Sequence, residues 1–105
     1  MAKILNDSEF YRGIKDVDKL TVIDFFAVWC GPCKMLTPIF ESLSKEMITE
    51  VTFGKIDIDR SFEIAEAYEI VSVPTMVMFR NGVEVDRIVG FVPKDQIKSK
   101  IKAHL

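Results

Sequence analysis

The feature that most constrains the fold is an almost unbroken apolar run at residues 21–28, rich in β-branched and aromatic side chains. Such a run is typical of a β-strand buried on both faces, as in a parallel sheet. A charged residue, Asp24, interrupts it. Residues 51–59 look like a second central strand. We therefore expect central strands in a sheet that helices cover on both faces.

The segments around these runs alternate between helical and extended patterns. Apolar residues recur at helical spacing within residues 10–17 and 36–47 and from residue 94 onward, and a short helix is expected over 62–68. Asn81 and Gly82, between two apolar runs, favour a β-hairpin. The sequence predicts an α/β fold in one domain over residues 1–105, with a central mixed five-stranded sheet flanked by four helices.

Composition and charge exclude several function classes. The formal net charge is −2 at pH 7 and the pI is about 5.4, whereas nucleic acids and anionic membranes attract basic proteins, so we expect neither partner. No apolar run approaches the roughly 18 residues of a membrane-spanning helix. The N-terminus becomes polar too soon for a secretory signal. We expect a cytoplasmic protein that acts as a monomer.

Two cysteines, Cys30 and Cys33, lie three positions apart where the first central strand gives way to a helix. Residues at this spacing share one helix face, so the two sulfurs can meet. The first helical turn has unpaired N–H groups and a partial positive charge, which favour the thiolate that attacks disulfides. Pro32 suits that turn because it lacks an N–H, and Gly31 leaves the sulfur open on one side. The pattern predicts a redox-active pair.

Other uses of the cysteines are less well supported. A structural zinc site needs about four ligands, and the chain offers only these two cysteines and His104 at its far end, so no metal site is predicted. A purely structural disulfide across so short a ring would constrain the unfolded chain very little. One alternative stays open: a redox-independent module that binds proteins through the surface around the cysteines.

Several motifs together resemble the thioredoxin family. The run Trp29-Cys30-Gly31-Pro32-Cys33-Lys34-Met35 is similar to the family's active-site signature. Matches elsewhere are Asp24 on the preceding strand, Pro38 in the following helix, Lys55 beside the acid, the loop Val73-Pro74-Thr75, the Asn81-Gly82 turn and Gly90. The resemblance implies the thioredoxin fold and a general protein-disulfide reductase that acts on disulfide-containing client proteins. It also implies regeneration by thioredoxin reductase, an NADPH-dependent flavoprotein. No bound cofactor is expected, because the electrons reside on the two sulfurs.

Helix geometry and the resemblance agree on the catalytic roles. Cys30, at the outer end of the helix, is the predicted nucleophile, and Cys33, one turn deeper, is the predicted resolving thiol. Burial opposes ionisation of a carboxyl group and raises its pKa, so Asp24 is predicted to accept the proton of Cys33. Lys55 is predicted to assist. The alternative is that Asp24 faces a polar loop or is paired with Lys55 for structural reasons only.

The predicted client-binding surface is an apolar patch beside an exposed Cys30. Its members are Trp29, Gly31, Pro32, Val73, Pro74, Thr75 and Gly90. The resemblance implies that the bond between Val73 and Pro74 is cis and that this loop pairs its backbone with an extended client segment. The chain departs from the family pattern at Glu69, where glycine is frequent, and at Phe91, where a smaller residue is common.

Overall fold

A computed structural model describes residues 2–105 and confirms the predicted order of elements. Over these residues the helices are α1 (Asp7–Gly13), α2 (Gly31–Glu46), α3 (Phe62–Ala67) and α4 (Lys94–Lys102). The strands are β1 (Lys3–Ile4), β2 (Leu20–Phe26), β3 (Val51–Asp57), β4 (Thr75–Arg80) and β5 (Val83–Val89). The mixed sheet has the order β1-β3-β2-β4-β5. The pairs β1–β3 and β3–β2 are parallel, and the pairs β2–β4 and β4–β5 are antiparallel.

The central strand β2 is buried over its whole length because helices cover both faces of the sheet. Side chains alternate between the faces of a strand. Leu20 and Val22 therefore pack in one apolar cluster with residues of α2 and α4, whereas Ile23 and Phe25 pack in another with α1 and α3. Asp24 follows the alternation of Leu20 and Val22, so its side chain points to the α2 face.

Both central strands end earlier than the sequence pattern predicts. The pairing of β2 with β3 ends where Phe26 lies opposite Asp57, and a last hydrogen bond joins the N–H of Ile58 to the carbonyl of Phe26 at 3.0 Å. The chain then turns, with the N–H of Cys30 donating to the carbonyl of Ala27 at 3.2 Å. Residues 27–29 are apolar but belong to this turn, which delivers Cys30 to the start of α2.

Helix α2 continues through Pro38, which cannot donate a backbone hydrogen bond. In the same stretch the hydroxyl of Thr37 donates to the carbonyl of Cys33 at 3.1 Å. The predicted hairpin is confirmed: Asn81 and Gly82 both have positive φ, 54° and 79°, as a tight turn between right-twisted strands requires. No helix within residues 2–105 has the length and apolar content needed to cross a membrane.

Helix α3 ends in a Schellman motif with an unusual residue at its left-handed position. The N–H of Ile70 donates to the carbonyl of Ala65 at 2.9 Å, and the N–H of Glu69 donates to the carbonyl of Glu66 at 3.0 Å. Glu69 has a φ of 54°, a conformation that favours glycine. This explains why glycine suits the position, and the turn delivers Ile70 toward the loop that precedes Pro74.

Candidate active site

Cys30 is the N-cap residue of α2, and its sulfur takes the place of the usual capping oxygen. Its backbone is extended, and its Sγ accepts a hydrogen bond from the N–H of Cys33 at 3.1 Å. The two Cα atoms are 5.3 Å apart and the sulfurs are joined in a disulfide, so this is the oxidised state. An N–H donor aimed at Cys30 Sγ, together with the positive end of α2, favours the thiolate when the bond is reduced.

The expectation of an exposed Cys30 is wrong for this oxidised state. Cys30 is only 4% exposed and Cys33 is 3% exposed, because both pack against Phe26, Ala27 and the partly buried Val73. Cys30 Sγ lies 3.6 Å from the carbonyl oxygen of Val73. A disulfide sulfur carries no hydrogen, so this is a contact between two acceptor atoms. What is accessible is therefore the groove beside the sulfur and not the whole side chain.

A groove of about 410 Å³ runs past Cys30. It brings together four of the predicted binding residues, Trp29, Gly31, Pro32 and Val73. Sequence reasoning missed the remaining lining residues, Ile58, Ile70, Val71 and Ser72. Two signals could have found them: Ile58 follows the strand parallel to the one that leads to Cys30, and 70–72 directly precede the loop at Pro74.

Three predicted binding residues lie behind the groove and hold its wall in place. Pro74 and Thr75 are buried, and Gly90 is half-buried. The bond between Val73 and Pro74 is cis, as the resemblance implied. The hydroxyl of Thr75 donates to the carbonyl of Ser72 at 2.7 Å. The N–H of Gly90 donates to the carbonyl of Pro74 at 2.8 Å, from a left-handed backbone with φ 87°. These contacts fix the loop that presents Val73.

Asp24 is fully buried on the α2 face, and neither of its carboxyl oxygens has a hydrogen-bond partner among the described residues. Burial raises the pKa of Asp24 from 3.8 to about 7, and the charge of Lys55 offsets part of that rise. A group with such a pKa can both take up and release a proton near neutral pH. The chemistry required of a proton acceptor is therefore present beneath α2.

Lys55 lies opposite Asp24 in the register of β2 and β3. Its Nζ is 4.7 Å from the centroid of the Phe26 ring, a cation–π arrangement. It does not hydrogen-bond to the carboxyl group. Lys55 therefore lowers the pKa of Asp24 through its charge and not through a hydrogen bond.

Trp29 forms one wall of the groove and is anchored by an acid that sequence reasoning did not connect with it. Trp29 is 66% exposed, and its indole N–H donates to a carboxylate oxygen of Asp59 at 2.9 Å. The hydrogen bond spans from the turn before α2 to the turn after β3. It fixes the orientation of a large, flat apolar side chain beside Cys30, which is suited to contact with a partner.

Comparison with known proteins gives a consistent result. A family model described as Thioredoxin matches residues 1–103. The chain is 45% identical over 104 residues to a thioredoxin of Chlamydia pneumoniae, covering 99% of each chain. It is 40% identical over 86 residues to a bifunctional thioredoxin reductase/thioredoxin of Mycobacterium leprae, covering 82% of this chain and 19% of that protein. Among solved structures, a thioredoxin of Malassezia sympodialis has a TM-score of 0.88 at 36% identity, covering 99% of this chain and 90% of that chain.

Proposed function

Because this chain belongs to the thioredoxin family, we propose that it reduces disulfide bonds of client proteins, with Cys30 as the nucleophile and Cys33 as the resolving thiol. It is a protein-disulfide oxidoreductase that cycles between a dithiol and the Cys30–Cys33 disulfide. The observation that carries the assignment of roles is the capping geometry. Cys30 Sγ lies at the N-terminus of α2 and accepts the N–H of Cys33 at 3.1 Å, so its thiolate is the stabilised one.

The reaction is two successive thiol–disulfide exchanges. The Cys30 thiolate attacks one sulfur of the client disulfide, the client S–S bond breaks, and the released client thiolate takes up a proton. A mixed disulfide between Cys30 and the client remains. The Cys33 thiol then loses its proton and attacks Cys30 Sγ. The second client thiolate leaves and is protonated, and two electrons have passed from the cysteine pair to the client.

Asp24 has the properties needed for the proton step of the second exchange. Its carboxyl group is buried on the α2 face, and its pKa of about 7 lets a carboxylate form that can accept a proton at neutral pH. Lys55 lowers that pKa and so increases the fraction of Asp24 that is ionised. We assign Asp24 as the proton acceptor for Cys33 and Lys55 as a positioning residue that acts through Asp24.

The groove supports binding of an extended client segment. Trp29, Pro32 and Val73 offer apolar contact on either side of the sulfur. The loop at Val73 is held from behind by Pro74, Thr75 and Gly90, so its backbone is available as a rigid edge along which a client strand can lie. Little in this surface demands one client sequence, which agrees with a reductase that serves several proteins.

An NADPH-dependent thioredoxin reductase is the proposed source of electrons for the oxidised chain. The support is the Mycobacterium leprae relative, whose name joins a thioredoxin reductase and a thioredoxin in one protein. In this chain the disulfide borders an open groove, which such a partner would need to reach.

The test is catalysis of insulin reduction with a small dithiol as electron source, followed as turbidity of the released chains. Wild type should accelerate the reaction strongly, and Cys30→Ser should abolish that acceleration. Cys33→Ser should accumulate a covalent client adduct through Cys30 that excess dithiol releases. An adduct that forms through Cys33 in the Cys30→Ser variant would reverse the roles. No acceleration by the wild-type protein would instead favour the redox-independent binding module.

A further inference from the structure

Asp24 has a cross-strand neighbour on each side in the sheet, and the mechanism above uses only one of them. In the parallel pair of β2 and β3, Asp24 lies opposite Lys55. In the antiparallel pair of β2 and β4, it lies opposite Met76. Residues directly opposite in an antiparallel pair point to the same face, with Cβ atoms about 4.5–5.5 Å apart. The side chain of Met76 therefore flanks the carboxyl group on the side away from Lys55.

The surroundings of Asp24 on this face are almost entirely apolar. Met76 is fully buried and belongs to the apolar cluster that contains Val22 and residues of α2 and α4. Phe26, the next residue of β2 on the same face, packs with both cysteines instead. Along β2, Asp24 thus lies between Val22 and Phe26. Across the sheet it lies between Lys55 and Met76. Of these four side chains only that of Lys55 has a hydrogen-bond donor.

That donor is directed elsewhere. The Nζ atom of Lys55 lies 4.7 Å from the centroid of the Phe26 ring, and within residues 2–105 neither oxygen of Asp24 has a hydrogen-bond partner. The groups that titrate or carry charge on this side of Asp24 are Lys55 from β3 and, in the reduced protein, the Cys33 thiol from α2. From β4 the neighbour is Met76, whose thioether has no N–H or O–H. Met76 therefore leaves a carboxylate without a partner on its side, which favours the protonated acid.

We propose that Met76 is a positioning residue for the resolving step: by denying Asp24 a hydrogen-bond donor, it sets the pH range in which the carboxylate takes the proton of Cys33. The proposal rests on the reductase function above. As Cys33 Sγ attacks Cys30 Sγ, its proton passes to Asp24 and the client thiolate leaves. A donor beside Asp24 would stabilise the carboxylate more than the acid, since hydrogen bonds to charged groups are the stronger ones. The carboxylate would then form at lower pH and would be a weaker base.

The resolving step can be followed by stopped flow with reduced protein and an equimolar amount of the symmetric disulfide of 5-thio-2-nitrobenzoate. Attack by Cys30 releases one coloured thiolate and leaves the other in a mixed disulfide. Attack by Cys33 on that mixed disulfide releases the second. The rate of the second release is measured against pH. In the wild-type protein it should rise through an inflection at about pH 7, the pKa of Asp24, and Asp24→Asn should lack this inflection.

Variants assign the effect to Met76. Met76→Gln has nearly the same shape and brings an amide donor to Asp24, so it should move the inflection about one pH unit to the acid side and lower the rate above it. Met76→Leu brings no donor and should keep the wild-type inflection. Met78→Gln is the matched control, because Met78 lies opposite Val22, two residues along β4, and is fully buried in the same cluster. It should lower stability without moving the inflection.

The outcomes separate this inference from the function on which it rests. An unshifted inflection in Met76→Gln would overturn the inference and leave the reductase function intact. A shift of the same size in Met78→Gln or in Met76→Leu would also overturn it, because packing alone would then be the cause. If Met76→Gln does not fold, Met76→Thr brings a smaller donor, and NMR titration of the Asp24 carboxyl carbon in the oxidised protein gives the same comparison. If wild type releases only the first thiolate and does not reduce insulin, the proposed function itself fails.

Discussion

Replacing Asp24 by asparagine should stabilise the protein relative to wild type, and this gain in unfolding free energy should grow as the pH rises. The burial of the carboxyl group determines its size. The folded state holds the proton of Asp24 up to a pKa of about 7, whereas the ordinary value is 3.8. The stability that Asp24 contributes is therefore fully present below the unfolded pKa and is lost as the pH rises through the folded pKa. A rise of about three units corresponds to roughly 4 kcal/mol at alkaline pH.

Asparagine has nearly the same shape but cannot ionise, so whatever its buried amide costs is the same at every pH. The difference in unfolding free energy, variant minus wild type, should grow by about 1.4 kcal/mol per pH unit between the two pKa values. Above the folded pKa it should level off. The total change from pH 4 to pH 8.5 is expected to be roughly 4 kcal/mol.

The assay is urea unfolding of the oxidised protein, followed by far-ultraviolet circular dichroism at half-unit steps of pH. Midpoints are compared at a constant denaturant slope, which is needed for a two-state comparison. Asp18→Asn is the matched control, because Asp18 is an exposed carboxylate and its removal should leave the wild-type pH dependence unchanged. A difference for Asp24→Asn that is the same at every pH, or that grows on acidification, would refute the argument.

Further predictions concern the chemistry and the local structure. Asp24→Asn should slow release of the client from the mixed disulfide most at about pH 7 to 8, where Asp24 is ionised and an ordinary thiol is not, and least at acidic pH, where the wild-type carboxyl group already holds its proton. The deficit should shrink toward pH 9, where a thiol ionises unaided, and stopped-flow measurement at several pH values decides this. Glu69→Gly should stabilise the protein by about 1 kcal/mol in urea, because a side chain at φ 54° is strained, whereas Glu69→Ala should give no such gain. Thr75→Val should cost about 1 kcal/mol by removing the hydrogen bond to Ser72, and Thr75→Ser should cost less. Phe40→Ala, at a fully buried position on the inner face of α2, should cost about 3–5 kcal/mol.

Much of the fold could be predicted because it depends on patterns that are local in the chain. Apolar residues dominate 21–28 and recur in 51–59 because helices cover both faces of the sheet. The turn at Asn81 and Gly82 follows from backbone conformations that few other residue pairs adopt. The ends of β2 and β3 were less predictable, since an apolar side chain in a strand and one in the turn that follows it look alike in the sequence.

For the candidate site, the sequence by itself determined the cysteine pair, its position at the start of a helix and the presence of an acid on the preceding strand. These are consequences of spacing within a few residues of Cys30. Only the tertiary structure decided that Asp24 has no hydrogen-bond partner within residues 2–105 while Lys55 lies over Phe26. The same is true of the near-complete burial of Cys30 and of the contribution of Ile58 and residues 70–72 to its groove. Burial and contact between distant segments depend on how the whole chain packs, and a short stretch of sequence does not encode them.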